Sequence, residues 1–143
     1  MEPEALRADP RLAPVKAFYA SFATGDFAAL KDQLTADVVL RVAGAGVVTG
    51  RYAGHAGIDA FLDVVIDHTG GMASAVVEDL AIGTTIAFAR EIVTLQRRDE
   101  PGVEHTYELV VQFWLREGRI SEIRITPEDA QGYGAFYAPL TSH

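Results

Sequence analysis

The sequence predicts an α+β fold, and three observations carry that prediction. Apolar residues recur at spacings of three and four in two separate stretches, around residues 12–22 and 58–65. Four strand-like stretches follow one another between residues 72 and 126, with turn residues between them. No helical period interrupts that run, so helices and strands are segregated rather than alternating, unlike parallel α/β folds.

Each element has its own signal. Residues 1–8 read as a polar, frayed lead-in. Asp9-Pro10 starts the first helix, with Asp as cap and Pro at the first helical position. Leu12, Val15, Phe18, Tyr19 and Phe22 form its apolar face, and Gly25 ends it. Asp26 caps a short second helix through Leu34. Asp37 to Val42 is strand-like, and residues 43–54 are glycine-rich, with a short strand at Val47-Val48. A third helix is expected over about 55–69, with Ile58, Phe61, Leu62 and Val65 as its buried stripe and Gly70-Gly71 as its stop. Strands are expected at 72–82, 84–97, 104–116 and 119–126. Pro101-Gly102 suits the centre of a type II turn, and Glu117-Gly118 a two-residue hairpin. Thr126-Pro127-Glu128-Asp129 reads as the capped start of a last helix through about Ala138, which accounts for Asp129 without catalysis.

The 143 residues are expected to form one domain over 1–143, with its core at about residues 10–138. A hydrophobic content of 49% excludes simple disorder. Twelve Lys+Arg against 20 Asp+Glu leave a net charge of −8, which disfavours nucleic acid, because phosphate contacts need clustered cations. With no cysteine, disulfides, thiolate zinc sites and thiol nucleophiles are excluded. No apolar run approaches the ~18 residues of a membrane span, and the first ten residues lack the basic and apolar regions of a secretory signal. A cytoplasmic protein with no membrane partner is therefore expected. His55, His68, His105 and His143 are scattered and lack metal-ligand spacing, so neither metal nor cofactor is expected.

Ala23-Thr24-Gly25-Asp26, Leu34-Thr35-Ala36-Asp37-Val38-Val39, the run Tyr52-Ala53-Gly54-His55-Ala56-Gly57-Ile58-Asp59-Ala60-Phe61, and Phe113-Trp114-Leu115-Arg116-Glu117-Gly118-Arg119-Ile120 occur in a telling order and spacing. Together they resemble the SnoaL-like polyketide cyclases, within the wider ketosteroid isomerase and nuclear transport factor 2-like fold. The resemblance covers about residues 12–137. It implies a cone-shaped α+β barrel, in which a curved antiparallel sheet wraps around three to four helices and an apolar pocket. Dimers through the outer sheet face are common in such proteins. The family's acid/base positions transfer onto apolar residues. The SnoaL-like His and Asp fall on Val111 and Ile125, and the steroid isomerases' catalytic Asp falls on Val42. Their oxyanion-hole Tyr falls on Phe18, and their second oxyanion acid on or beside Val111. The epoxide hydrolases of this fold need an inward Arg and two Asp, whereas Arg97-Arg98-Asp99 lies in a turn.

With that register, Tyr107, Leu109, Val111 and Phe113 face the concave side, and Val110, Gln112 and Trp114 face outward as a dimer patch. Arg90 shares parity with Ile86, Phe88 and Ile92, which read as inward-facing, so it is a candidate for binding a ligand carbonyl or carboxylate. If the parity flips after a bulge, Glu91 faces the pocket instead and is a candidate desolvated base. Tyr107 is the best-placed hydroxyl, beside Tyr19, Tyr133 and Tyr137. His68 is a candidate base, against the commoner role of meeting its own helix's last carbonyls. The expected pocket is lined by Phe18, Tyr19, Phe22, Val42, Phe61, Val65, Phe88, Leu109, Val111, Phe113, Ile123, Ile125 and Tyr137. Such a lining suits a large, mostly hydrocarbon, polyketide-like ligand. Three functions fit. One is a cyclase that closes a ring, including by a pericyclic route, mainly through orientation. A second is an isomerase or aldol cyclase whose base is relocated to Glu91, His68 or Asp79. The third is a non-catalytic module that binds a hydrophobic small molecule.

Overall fold

Asp9 accepts the Arg11 backbone N–H at 2.9 Å and, with Pro10 behind it, opens a 3₁₀ turn (Pro10–Leu12) that runs into α1 (Ala13–Thr24). The structure, a computed structural model, describes residues 9–141. The lead-in read over residues 1–8, and His143, lie outside the described residues. Gly25 closes α1 in the left-handed region, at φ 72°. Asp26 accepts the Ala29 N–H at 3.1 Å and caps α2 (Phe27–Asp32), which is shorter than expected because Leu34 enters the sheet.

Strand β1 (Leu34–Val42) is followed by the glycine-rich loop. The strand expected at Val47-Val48 forms later, as β2 (Gly50–Ala53). Val48 is instead a fully buried plug, and its carbonyl accepts the Tyr52 hydroxyl at 2.8 Å. Helix α3 (Gly54–Thr69) buries Ile58, Leu62 and Val65 and stops at Gly70. Four long strands follow: β3 (Ala73–Ile82), β4 (Ile86–Gln96), β5 (Glu104–Arg116) and β6 (Arg119–Pro127). Glu117 and Gly118 both have positive φ, 52° and 77°, as a type I′ hairpin turn requires. The last helix, α4 (Ala130–Phe136), starts after Asp129, which accepts the Gly132 N–H at 2.9 Å. Thr126 does not cap it, because β6 runs on and Thr126 pairs with Val110.

The strands form one six-stranded sheet among the described residues, in the order β2-β1-β6-β5-β4-β3. Every pair is antiparallel except β1 and β6, which run parallel with Val42 beside Ile125. A parallel pair needs a long crossover, here the whole chain between them. The concave face carries the buried core, including Val38, Leu40, Val42, Leu109, Val111, Phe113, Ile123 and Ile125, under α1 and α3. No helix among the described residues is long and apolar enough to cross a membrane.

Of the two parities the sequence leaves open for β4, the strand takes the one that turns Glu91, and not Arg90, toward the concave side. Ala87, Ala89, Val93 and Leu95 are buried on the concave side, while Phe88 is 39% exposed. Arg90 also faces outward. Its Nε donates to Asp79 at 2.7 Å and its Nη1 to Glu108 at 2.6 Å. Packing explains the choice. Ala87 and Ala89 pair with Phe113 and Val111, and the Phe113 ring meets Phe18 and Tyr19 at 5.6 and 5.7 Å. The small residues on β4 leave room for that aromatic cluster. Val110, Gln112 and Trp114 share the outer face with Arg90, and the Arg124 guanidinium lies 5.0 Å over the Trp114 ring.

Candidate functional site

Between the concave face and helices α1, α3 and α4 lies a cavity. The space open to the centre of a water molecule is about 60 Å³. Of the residues named from the sequence, Phe18, Tyr19, Phe22, Phe61, Val65, Leu109, Val111, Ile123, Ile125 and Tyr137 surround it. Leu30, Leu40, Ile58, Leu62, Ala75, Val93 and Leu95 line it too, which sequence reasoning left out, and so does Tyr133, offered by the sequence as a hydroxyl donor. Val93 and Leu95 share the parity of Glu91, which was the available signal. Three expected lining residues lie elsewhere. Phe113 is buried behind Phe18 and Tyr19, Val42 is buried in the core at the end of β1, and Phe88 is on the outer face.

Among the described residues, Glu91 is the single charged one lining the cavity. Burial pushes its carboxyl up from the ordinary glutamate range, against a smaller downward pull from the Tyr19 hydroxyl. Tyr19 Oη is itself buried and makes no hydrogen bond of normal geometry, although it stands close enough to Glu91 for each to move the other's titration. Across the cavity, the Tyr133 and Tyr137 hydroxyls are 3.3 Å apart and buried. Burial pushes Tyr133 up to about 12 and Tyr137 far above its usual range. The three tyrosines therefore stay neutral and can donate to a ligand oxygen.

The other candidates are placed differently. Tyr107 faces inward but packs against Tyr133 at 5.4 Å and stacks on His105, so it backs the wall instead of lining it. His68 Nδ1 donates to the Val64 carbonyl of its own helix at 2.8 Å, and its ring meets Tyr137 edge-on. Arg90 and Asp79 pair with each other on the outer face, which removes both from the pocket. Among the described residues, no three His, Asp or Glu side chains gather as a metal site would require. The arrangement is thus one desolvated carboxyl and three neutral hydroxyls in a hydrocarbon box. A carboxylate held there is a stronger base than one in water, and the hydroxyls can stabilise charge developing on an oxygen.

Comparisons with known proteins place this geometry. The SnoaL-like domain family model matches residues 15–123. No curated protein matches the sequence. Among solved structures, Bal32a from a soil-derived mobile gene cassette superposes with a TM-score of 0.83 at 20% identity, covering 92% of this chain and 98% of that one. TerC co-crystallised with polyporic acid gives 0.80 at 18% identity, over 91% of this chain and 100% of that one. A Jannaschia sp. protein assigned by name to the SnoaL-like polyketide cyclases gives 0.74 at 15% identity, over 91% and 93%. At these identities the likeness is one of fold.

Proposed function

The chain belongs to the SnoaL-like domain family, and from that premise we propose that it binds a mainly hydrocarbon, ketone-bearing molecule of the polyketide kind and moves a proton on it with Glu91. The proton transfer opens an isomerisation or an aldol ring closure. The observation that carries this reading is the position of Glu91, the one charged group among the described residues that line a mainly apolar cavity. The crystallisation of a neighbour of the same fold with polyporic acid supports a small-molecule pocket here.

The chemistry follows from the groups present. Ionised Glu91 takes a proton from the carbon next to the ligand's carbonyl. The electron pair of that C–H bond moves to the carbonyl oxygen, giving an enolate. A tyrosine hydroxyl at the cavity wall donates a hydrogen bond to that oxygen. In an isomerisation, Glu91 returns the proton to a different carbon. In an aldol closure, the enolate carbon attacks a second carbonyl of the same ligand, and the new alkoxide takes the proton back from Glu91. Burial supports the role because it raises the carboxylate's basicity toward working pH.

A second reading keeps the cyclase but assigns catalysis to orientation alone. The rest of the lining favours it: the positions on which the family's acid/base pair falls, Val111 and Ile125, are apolar walls here. Solvent exchange separates the two. β-Tetralone, a bicyclic ketone, is incubated with the protein in deuterium oxide, and α-deuteration is followed by proton NMR. Acid/base catalysis predicts acceleration by the native chain and a loss of roughly 10²–10⁴-fold in Glu91→Gln. Equal exchange by the two chains, flat with pH, sinks the Glu91 role.

A further inference from the structure

We infer that Arg97 is a positioning residue that sets how large a ligand the cavity admits, by clamping the segment that carries Tyr133 and Tyr137. The inference rests on the reading of the cavity as the ligand site. As it stands, the cavity measures about 60 Å³, whereas drug-sized ligands occupy pockets of roughly 300–1,000 Å³. A ligand of three fused rings enters only if a wall moves.

The walls are not equally held. The strands are tied into their ladders, and α1 and α3 are long helices with buried faces. Helix α4 has seven residues, two of them glycine, so it is weak in isolation. Its contact with the loop before β2 is backbone against backbone: a Cβ added to Gly134 would fall 1.9 Å from the Ala45 carbonyl oxygen. Its buried rings Tyr133, Phe136 and Tyr137 pack on Tyr107, His105 and His68, and the backbone at its end is held by Arg97, only 8% exposed and just past the end of β4. Its Nη1 donates to the carbonyls of Phe136 and Ala138 at 2.7 and 2.6 Å, and its Nη2 to that of Pro139 at 3.1 Å. Nε and Nη2 also fork onto Asp99 at 2.8 and 2.6 Å. Asp99 in turn accepts the Thr141 N–H at 2.8 Å and its hydroxyl at 3.1 Å. One guanidinium thus satisfies the orphan carbonyls at the end of a helix and holds the chain beyond it. Arg97 shares strand parity with Glu91, so the same face of β4 and its extension supplies both the proton-moving group and the clamp.

The test uses two probes of different size, β-naphthol with two rings and dihydroxyanthraquinone with three. Stopped-flow binding is measured for the native chain, Arg97→Lys and Asp99→Asn. Lysine keeps the charge but not the fork. The Asp99→Asn change leaves the carbonyl contacts of Arg97 in place, so one variant covers for the other if folding suffers. The clamp predicts that the association rate of dihydroxyanthraquinone rises about tenfold in Arg97→Lys and by a smaller factor in Asp99→Asn, which loosens only the support of Arg97 and the hold on Thr141, while that of β-naphthol changes by less than about twofold in both. Amide hydrogen exchange over residues 133–141 should rise with it, and exchange in α1 and α3 should not. A purely structural role predicts equal changes for both probes, or exchange that rises throughout; either result overturns the clamp. If both probes bind and their size preference is the same in all three chains, the clamp fails and the cavity reading stands. If neither probe binds the native chain, the cavity reading fails and takes the clamp with it.

Discussion

Replacing Glu91 with Gln keeps the shape of the cavity wall and removes one titration from it. Burial raises the folded-state pKa of Glu91 above its ordinary 4.5. The folded chain therefore keeps a proton that the unfolded chain has released. The associated stability is fully present below about pH 4.5 and is lost as pH rises through the folded pKa, beyond which it levels off. One proton sets the limiting slope, about 1.4 kcal/mol of stability per pH unit inside that window. In Glu91→Gln this descending limb is absent, so the variant gains on the native chain as pH rises. Asp99 works in the opposite direction. The Arg97 guanidinium holds its carboxyl well below the usual aspartate range, so its contribution is present above about pH 3.8 and is lost as pH falls toward the folded pKa. That acid limb should survive in Glu91→Gln. Urea unfolding followed by the fluorescence of Trp114, the one tryptophan, gives stability at each pH from about 3 to about 9. Parallel curves for the two chains across that range would refute the reasoning, because they would mean that Glu91 is solvated.

Phe113→Ala removes a fully buried ring that touches Phe18 and Tyr19. It should cost about 3–5 kcal/mol in chemical denaturation, and a cost under about 1 kcal/mol would mean that the aromatic cluster is not packed. Gly134→Ala places a methyl 1.9 Å from the Ala45 carbonyl oxygen. It should cost about 1–3 kcal/mol, read from the same unfolding curves, and a neutral outcome would show that α4 and the loop do not touch. The outer sheet face, with Val110 and Phe88 exposed beside Trp114, is expected to pair two copies of the chain. Sedimentation equilibrium should then show a dimer that Val110→Glu dissociates, and a native monomer would remove the expectation.

What was legible in the sequence was local chemistry. Asp26, Gly25, Gly70 and the Glu117-Gly118 pair act through their own backbone neighbours, so their roles can be read from a few residues. Helix α3 was legible because Ile58, Leu62 and Val65 recur at spacings of four and three along one face. Strand β4 was not, because it is apolar on both faces. Ile86 and Phe88 look like core residues by size, yet the core takes Ala87 and Ala89, since Phe113 from the next strand fills that space. The choice between Arg90 and Glu91 depends on that parity, and so does the candidate site. The parallel pairing of β1 with β6 and the hold of Arg97 on the residues after α4 join segments far apart in the chain. No spacing within either segment announces them. Tyr133 was visible as a possible donor, but its place in the wall depends on where α4 docks.

The central claim is that Glu91 carries a proton inside a ligand-binding cavity. Carbon-13 NMR of the Glu91 carboxyl, assigned by comparison with Glu91→Gln, tests this directly when titrated with and without β-naphthol. The account predicts a titration above the ordinary glutamate range that moves when β-naphthol is added. An ordinary glutamate titration, unchanged by β-naphthol, would contradict it.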